Sequence, residues 1–458
     1  MLREKILKES ISDYGALFGE ILPPETLHAE SRDRRRRHFP MAVTFWAWAS
    51  QLLEGNGSCA RALTRVQQWC AQAGLPIPEF DTSSYCRARQ RLSEQFLDFV
   101  EKRITSHTEA RRDNRHLWKG HRLKAIDGTS VQLMDTPANQ QEYPQPSTQK
   151  PGCGFPVIGI VGVLDLSLGR VDNHVPAPCN RHDSKGLQEL CGLFKPRDIV
   201  IADRGFCSFE LIAKLRRNQV ESVMRLHQRR EAKLDWQQGE KLDADSRLVV
   251  WRKPQRPDNV APAEWELLPE AMPVRLVRMQ GRGRDGKGRT LYIVTTLLDA
   301  IAYPTEEIAA LYAERWKIEV KFRDIKTTMG MERLEVRSPA MARKTLRMVI
   351  IVYNLLKALQ LNAIRGEDIL IDELGFKATL DAIAEFRCGF AGLIRNPRLL
   401  VIKRRELEER IAERLILIRP RRTEPRVVKT RPKPYPFLTS PRHQYVEILH
   451  RSHYRKAA

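Results

Sequence analysis

The sequence predicts an α/β fold, with a mixed β-sheet in the middle of the chain and helical regions on either side. Three observations predict it. Residues 122–133 alternate: Leu123, Ala125, Val131 and Leu133 are apolar, while Arg122, Lys124, Ser130 and Gln132 are polar, the period of a half-buried strand. Ile199, Val200, Ile201 and Ala202 form a short apolar strand, followed by Asp203, a turn at Gly205 and a helix start near Ser208. Residues 305–329 contain neither Pro nor Gly and place Leu311, Ile318, Phe322, Ile325 and Met329 on one arc, which predicts a single helix.

The elements follow in order. Residues 1–118 predict a helical amino-terminal domain, with helices at 3–18, 41–54, 58–73, 81–93 and 94–112. The run from Arg32 to Arg37 is strongly basic. Asp81 to Ser84 can cap a helix that carries Arg87, Arg89 and Arg91. Its pairing with the preceding helix fits either a helix-turn-helix or a packed bundle. Strands then begin near 120, and the stretch 155–177 gives two more, joined at a Ser-Leu-Gly turn. A helix at 183–194, the strand ending at Asp203, a helix at 207–218 and a strand at 220–226 complete the order. Three strands followed by alternating helix and strand is the order of a ribonuclease H-like fold.

Between Asp203 and Glu319 the chain exceeds what one helix and one strand need. The surplus, about 227–297, contains SRLVVWRKP, PVRLVRMQG and RTLYIVTTLL and predicts an antiparallel β insertion. The glycines of GRGRDGKGR precede no helix, so they predict a basic hairpin tip and no phosphate loop. The α/β domain so predicted spans 119–365. A helical carboxyl-terminal region covers 366–419, and a basic Pro-rich tail runs from 420 to 458.

The candidate site lies on these elements. Tyr312, Arg315, Glu319 and Lys326 fall within roughly 60° of one another on the expected helix, beside the apolar arc. One carboxylate is thus flanked by three hydrogen-bond donors. A carboxylate binds hard cations, and such donors hold phosphate oxygens. Asp127 interrupts a strand that otherwise alternates, a poor place for a charge without a task. Asp203 ends a strand, where ligands collect in α/β sheets. Three carboxylates in the order Asp, Asp, Glu meet the requirement of two Mg²⁺ ions for few protein ligands, with the remaining positions left to water and phosphate.

The segments AIDGTSVQL, ADRGF and YAERWKIEVKFRDIK resemble the DDE transposases of bacterial insertion sequences. The spacing Y-x2-R-x3-E-x6-K is similar to that of the family-four branch with the Y-R-E-K signature. The resemblance is strongest from about 120 to 360. It implies that Asp127, Asp203 and Glu319 bind two Mg²⁺ (or Mn²⁺) ions, and that Tyr312, Arg315 and Lys326 contact the transposon end. It also implies cleavage at double-stranded transposon ends, strand transfer into target DNA and a homodimer in the synaptic complex. A hairpin intermediate with a base flipped onto an aromatic side chain is implied too. Tyr292 is the candidate stacking residue, with Trp251 and Trp265 as alternatives and a plain strand aromatic as the other reading.

Composition supports a polyanion partner. The chain has 458 residues, 78 basic against 56 acidic, and a net charge of +22. MLREKILKES has no apolar stretch. MVIIVYNLLKALQL is too short to span a bilayer and contains Asn354 and Lys357, so it predicts a buried helix. Eight scattered cysteines without a C-x-x-C predict reduced thiols of a cytosolic protein, and the resemblance implies a bacterial, nucleoid-associated location within the cytoplasm. His174, His182 and Asp183 suggest either a separate metal site or a satisfied loop histidine. Two other functions compete with transposition: a structure-specific nuclease of the same fold, or a non-catalytic DNA-binding protein derived from a transposase.

Overall fold

The computed structural model describes residues 12–31, 39–55, 57–179, 190–258, 260–282, 288–390, 393, 396–416 and 438–446. The basic run 32–37, His182, Asp183, residues 283–287 of the hairpin tip and most of the tail beyond 416 lie outside the described residues.

The amino-terminal helices are α1 (Ser12–Leu17), α2 (Pro24–Ser31), α3 (Met41–Leu53), α4 (Cys59–Ala73), α5 (Thr82–Arg91) and α6 (Glu94–Glu109). Their starts are set by local chemistry. Ser58, Asp81 and Ser93 accept hydrogen bonds from the backbone amides of Arg61, Ser83 and Phe96, satisfying amides that have no partner within the helix. Gly74, at φ 64°, ends α4 in the left-handed conformation. Helix α3 is apolar on nearly every side, and Phe45, Trp46 and Trp48 are fully buried. It forms the centre of this region.

The sheet begins with β1 (Arg122–Leu133), β2 (Val157–Asp165) and β3 (Val171–Pro178), an antiparallel meander. β4 (Asp198–Ala202) lies parallel to β1 on its other side. Helix α7 (Phe209–Arg217) crosses over to β5 (Glu221–Arg225), parallel to β4. A parallel neighbour requires such a crossover.

β6 (Glu240–Lys241), β7 (Ser246–Arg252), β8 (Ala271–Arg282) and β9 (Gly288–Thr295) come from the surplus segment. They do not form a separate sheet. β9 pairs antiparallel with β5, and the order runs β3-β2-β1-β4-β5-β9-β8-β7-β6. β10 (Arg333–Leu334) pairs with the far end of β1. Arg275 on β8 is fully buried and donates to the Tyr303 carbonyl (2.6 Å) and the Thr305 hydroxyl (2.7 Å). Excising 230–288 would therefore remove a buried anchor as well as a surface hairpin.

Alternation divides the core. Ala125, Val131, Ile158, Ile160, Ile199, Ile201 and Val223 face the larger core. Ile126, Val161, Val163, Val200, Ala202 and Met224 face the second, with Trp251, Trp265 and Phe209. The larger core contains α10 (Pro339–Ala363), whose Asn354 bonds both the amide and the carbonyl of Val171 at 2.8 Å. Among the described residues α10 alone is long and apolar enough to cross a membrane, and it is buried inside the protein.

The helix expected over 305–329 is three pieces: α8 (Thr305–Ala313), α9 (Trp316–Arg323) and a π-turn at Asp324–Thr328. Around Glu314 and Arg315 the amides bond three residues back, at 3.1 Å to Leu311 and 3.1 Å to Tyr312, which tightens the turn. At the other end Met329 and Met331 bond five residues back. The four polar positions therefore do not share one straight helix face. Helices α11 (Phe376–Phe386) and α12 (Pro397–Ala412) follow, and a short 3₁₀ turn lies at Arg442–Gln444. The two helices pack on the amino-terminal helices: Arg404 donates to the Ala16 carbonyl of α1 at 2.9 Å, and Arg387, just after α11, pairs with Glu54, just after α3, at 3.1 Å. All eight cysteines are free.

Candidate active site

Strand register brings the two aspartates together. Ile126 on β1 lies opposite Ala202 on parallel β4, so Asp127 and Asp203 are the next residues on neighbouring strands. Asp127 accepts a hydrogen bond from the Gly128 amide at 2.8 Å. It shares the sheet face of Ala125, which faces the larger core and α9. Helix α9 is seated there by Phe322, whose ring lies over Gly162. A Cβ at Gly162 would stand 3.0 Å from that ring, so only the absent side chain leaves room. Gly162 is also the residue paired with Asp127 across β1 and β2.

Glu319 is carried toward the aspartates on α9, its side chain half exposed. Arg315 stands between the carboxylates, 3.3 Å from Asp127 and 2.8 Å from Glu319. Burial pushes the Asp127 carboxyl up. The Gly128 amide and Arg315 oppose that, while Asp203 and Glu319 add to it. The Asp127 carboxyl thus feels the charge of both Asp203 and Glu319. Among the described residues no three His, Cys, Asp or Glu side chains are drawn together tightly enough to hold a metal, and here the cation between two of the carboxylates is Arg315.

Tyr312 is buried beside Arg315. Burial, then the Asp203 charge, lifts its phenol to about 12 against the pull of Arg315 and Arg225, so it remains a hydrogen-bond donor at neutral pH. Burial works against the Arg315 charge, but Glu319, Asp203 and Asp127 outweigh it and hold the guanidinium protonated.

The structure brings together Asp127, Asp203, Tyr312, Arg315 and Glu319. Lys326 lies on the π-turn, half-buried, where burial lowers its ammonium and Glu332 partly restores it. Tyr292 on β9 packs with the second core on the other face of the sheet, its ring 5.6 Å from Trp236. Trp251 and Trp265 are buried in that same core. Trp316, not singled out from the sequence, is 59 % exposed beside Arg315. The signal was available: at 100° per residue it falls almost opposite the apolar arc. His174 lies on strand β3 and not on a loop. Burial, with help from Arg347, pushes it down to about 4.

The sequence model of the family described as "Transposase DDE domain" matches residues 118–355. The chain is 25 % identical over 432 residues to the transposase InsG for insertion sequence element IS4 of Escherichia coli K12, covering 92 % of this chain and 93 % of that protein. It is 25 % identical over 207 residues to the putative transposase InsZ of the same organism, covering 43 % of this chain and 67 % of InsZ. A cryo-EM structure of the piggyBac transposase synaptic complex with hairpin DNA aligns over 89 % of this chain and 85 % of that one, with 12 % identity and a TM-score of 0.41. That likeness is too distant to carry residue roles.

Proposed function

The chain belongs to the transposases built on the DDE domain, and on that premise we propose which residues do the chemistry. The protein is an enzyme of DNA transposition, catalysing DNA cleavage and strand transfer. Asp127, Asp203 and Glu319 are its catalytic carboxylates and the ligands of two Mg²⁺ ions, with Mn²⁺ as a substitute. The observation that carries this reading is their convergence from β1, the end of β4 and α9. The donor set fits a hard cation, and the Arg315 guanidinium already stands in for one between Asp127 and Glu319. Bound there, divalent ions would lower the pKa of an attacking water and stabilise the leaving 3′ oxygen.

The chain's own residues do the rest. Asp127 lies next to Asp203 and shares Arg315 with Glu319, so it is placed to act with both. Arg315 turns from the carboxylates to a phosphate of the transposon end, which its planar fork can grip through two hydrogen bonds. Tyr312 supplies a neutral donor beside it, and Lys326 holds a phosphate farther along the strand. The freed 3′-OH then attacks target DNA at the same site, with no covalent enzyme intermediate.

The sheet order supports a ribonuclease H-like core carrying a β insertion, flanked by a DNA-binding helical region and a helical carboxyl-terminal region. The spacing of Tyr312, Arg315, Glu319 and Lys326 supports the Y-R-E-K branch. The partners are the double-stranded transposon ends and target DNA, engaged by a homodimer. For a base flipped from the end, Trp316 offers an exposed face that the packed Tyr292 does not.

The test is cleavage and strand transfer on end DNA by Asp127→Ala, Asp203→Ala and Glu319→Ala, with end-DNA affinity measured alongside. Each variant is expected to bind DNA and to lose both reactions. Strand transfer at the wild-type rate by any one of them removes that residue from the site.

A further inference from the structure

The helix that carries Glu319 is held from behind by a residue outside the site. Asp372 lies in a short 3₁₀ turn, Ile371–Glu373, between α10 and α11. One of its carboxylate oxygens is 2.9 Å from Lys317, and the other accepts a hydrogen bond from Lys321. The two lysines are successive turns of one face of α9. Glu319, midway between them in sequence, points to the opposite face, about 160° from each. Lys321 is buried, at 5 % exposure, and its ammonium is paired with Asp372.

We propose that Asp372 is the positioning residue for Glu319: by gripping Lys317 and Lys321 together it fixes the rotation of α9, and so where the Glu319 carboxylate stands relative to Asp127 and Asp203. The proposal rests on the reading of Glu319 as a catalytic carboxylate. Phe322 over Gly162 and the buried Ile318 seat α9 on the sheet from one side, and the Asp372 pairs hold it from behind. Side-chain tips lie about 5–6 Å from a helix axis, so a roll of about 20° would carry the Glu319 carboxylate about 2 Å. A displacement of about 1 Å already costs about a hundredfold in rate at a positioned catalytic group. One carboxylate holding both lysines opposes that roll in either direction.

Two further facts fit. Burial works against the Asp372 charge, but Lys321 and Lys317 outweigh it and hold the carboxyl down to about 2, so the clamp stays closed at every pH at which the enzyme would work. The π-turn that follows α9 ends its regular hydrogen bonding just beyond Lys321. The backbone ladder therefore does not carry rotational restraint onward into α10.

The experiment compares Asp372→Asn, Asp372→Glu and Lys317→Met in the full chain. It measures thermal unfolding, end-DNA affinity, and kcat and KM for end cleavage at a temperature where each variant is fully folded. Lys317 is the more exposed partner, so Lys317→Met removes one arm of the clamp and leaves the buried Lys321 pair in place. The expected result is a fall in kcat of at least tenfold for Asp372→Asn and severalfold for Lys317→Met. KM and DNA affinity should stay within twofold, and Asp372→Glu should recover most of kcat. An unchanged kcat in folded Lys317→Met, or a loss that follows only the unfolded fraction, overturns the proposal. Glu319→Gln is measured in parallel. If it cleaves at the wild-type rate, the catalytic reading fails first, and the clamp loses its purpose for that separate reason.

Discussion

Arg315→Ala should tighten metal binding while weakening DNA binding. The guanidinium lies 3.3 Å from Asp127 and 2.8 Å from Glu319. At an effective dielectric of about 20, the gross attraction at 3.3 Å is about 5 kcal/mol. Most of that offsets the desolvation of the two groups. The Glu319 arm is half exposed and contributes about 0.2–1 kcal/mol after screening. A net of about 1–2 kcal/mol then competes with any incoming cation, a factor of about 5–30 in affinity. Calorimetric titration of Mn²⁺ into DNA-free protein should therefore show binding about 5–30-fold tighter in Arg315→Ala. Arg315→Lys should fall between the variant and wild type, because a single ammonium cannot bridge both carboxylates as the fork does. End-DNA affinity, measured by fluorescence anisotropy, should fall, since a charge-assisted hydrogen bond contributes about 1.5–3 kcal/mol. Unchanged or weaker Mn²⁺ binding in Arg315→Ala would refute the claim that this residue and the ions occupy the same negative site.

Three other outcomes are expected. Burial, then the charge of Glu20, lifts the Glu408 carboxyl to about 7 from an ordinary 4.5. The folded chain keeps that proton where the unfolded chain has lost it. Stability from this group is thus present below about pH 4.5 and lost as pH rises through 7, and Glu408→Gln should flatten that decline in urea melts taken from about pH 5 to 8. Lys357 is fully buried, its ammonium pushed far down by burial and then by Lys321. Lys357→Met should cost about 1–3 kcal/mol in unfolding free energy, because it leaves the buried Gln360 Oε1 without its 2.8 Å donor, and an unchanged stability would show that bond to be dispensable. Gly162→Val should destabilise by about 1–3 kcal/mol and reduce cleavage more than end-DNA affinity, because a Cβ there already meets Phe322 at 3.0 Å. Equal losses in both assays would remove Phe322 from the positioning of α9.

The sequence by itself marked out the candidate carboxylates and the strands that carry two of them. Asp127 stood out because a charge breaks an alternating apolar strand, and Asp203 because it ends a four-residue apolar run. Both signals span a few neighbouring residues, the range over which backbone periodicity acts. Glu319 and Arg315 were legible for the same reason, as positions four apart on one helix face.

Only the tertiary structure decided the rest. The turn around Glu314 and Arg315 and the π-turn after Arg323 break a segment that has no Pro or Gly to mark them, so residue propensity gave no warning of either. Lys326 falls on that π-turn, outside the regular α-helical spacing. Tyr292 went to the far face because the alternation of β9 became fixed only when that strand paired with β5. The same pairing joined the β insertion to the main sheet. Asp372 meets Lys321 across 51 residues of sequence. Such a contact follows from how α10 and the turn after it pack on the sheet, and a periodicity of two or 3.6 residues carries no record of that packing.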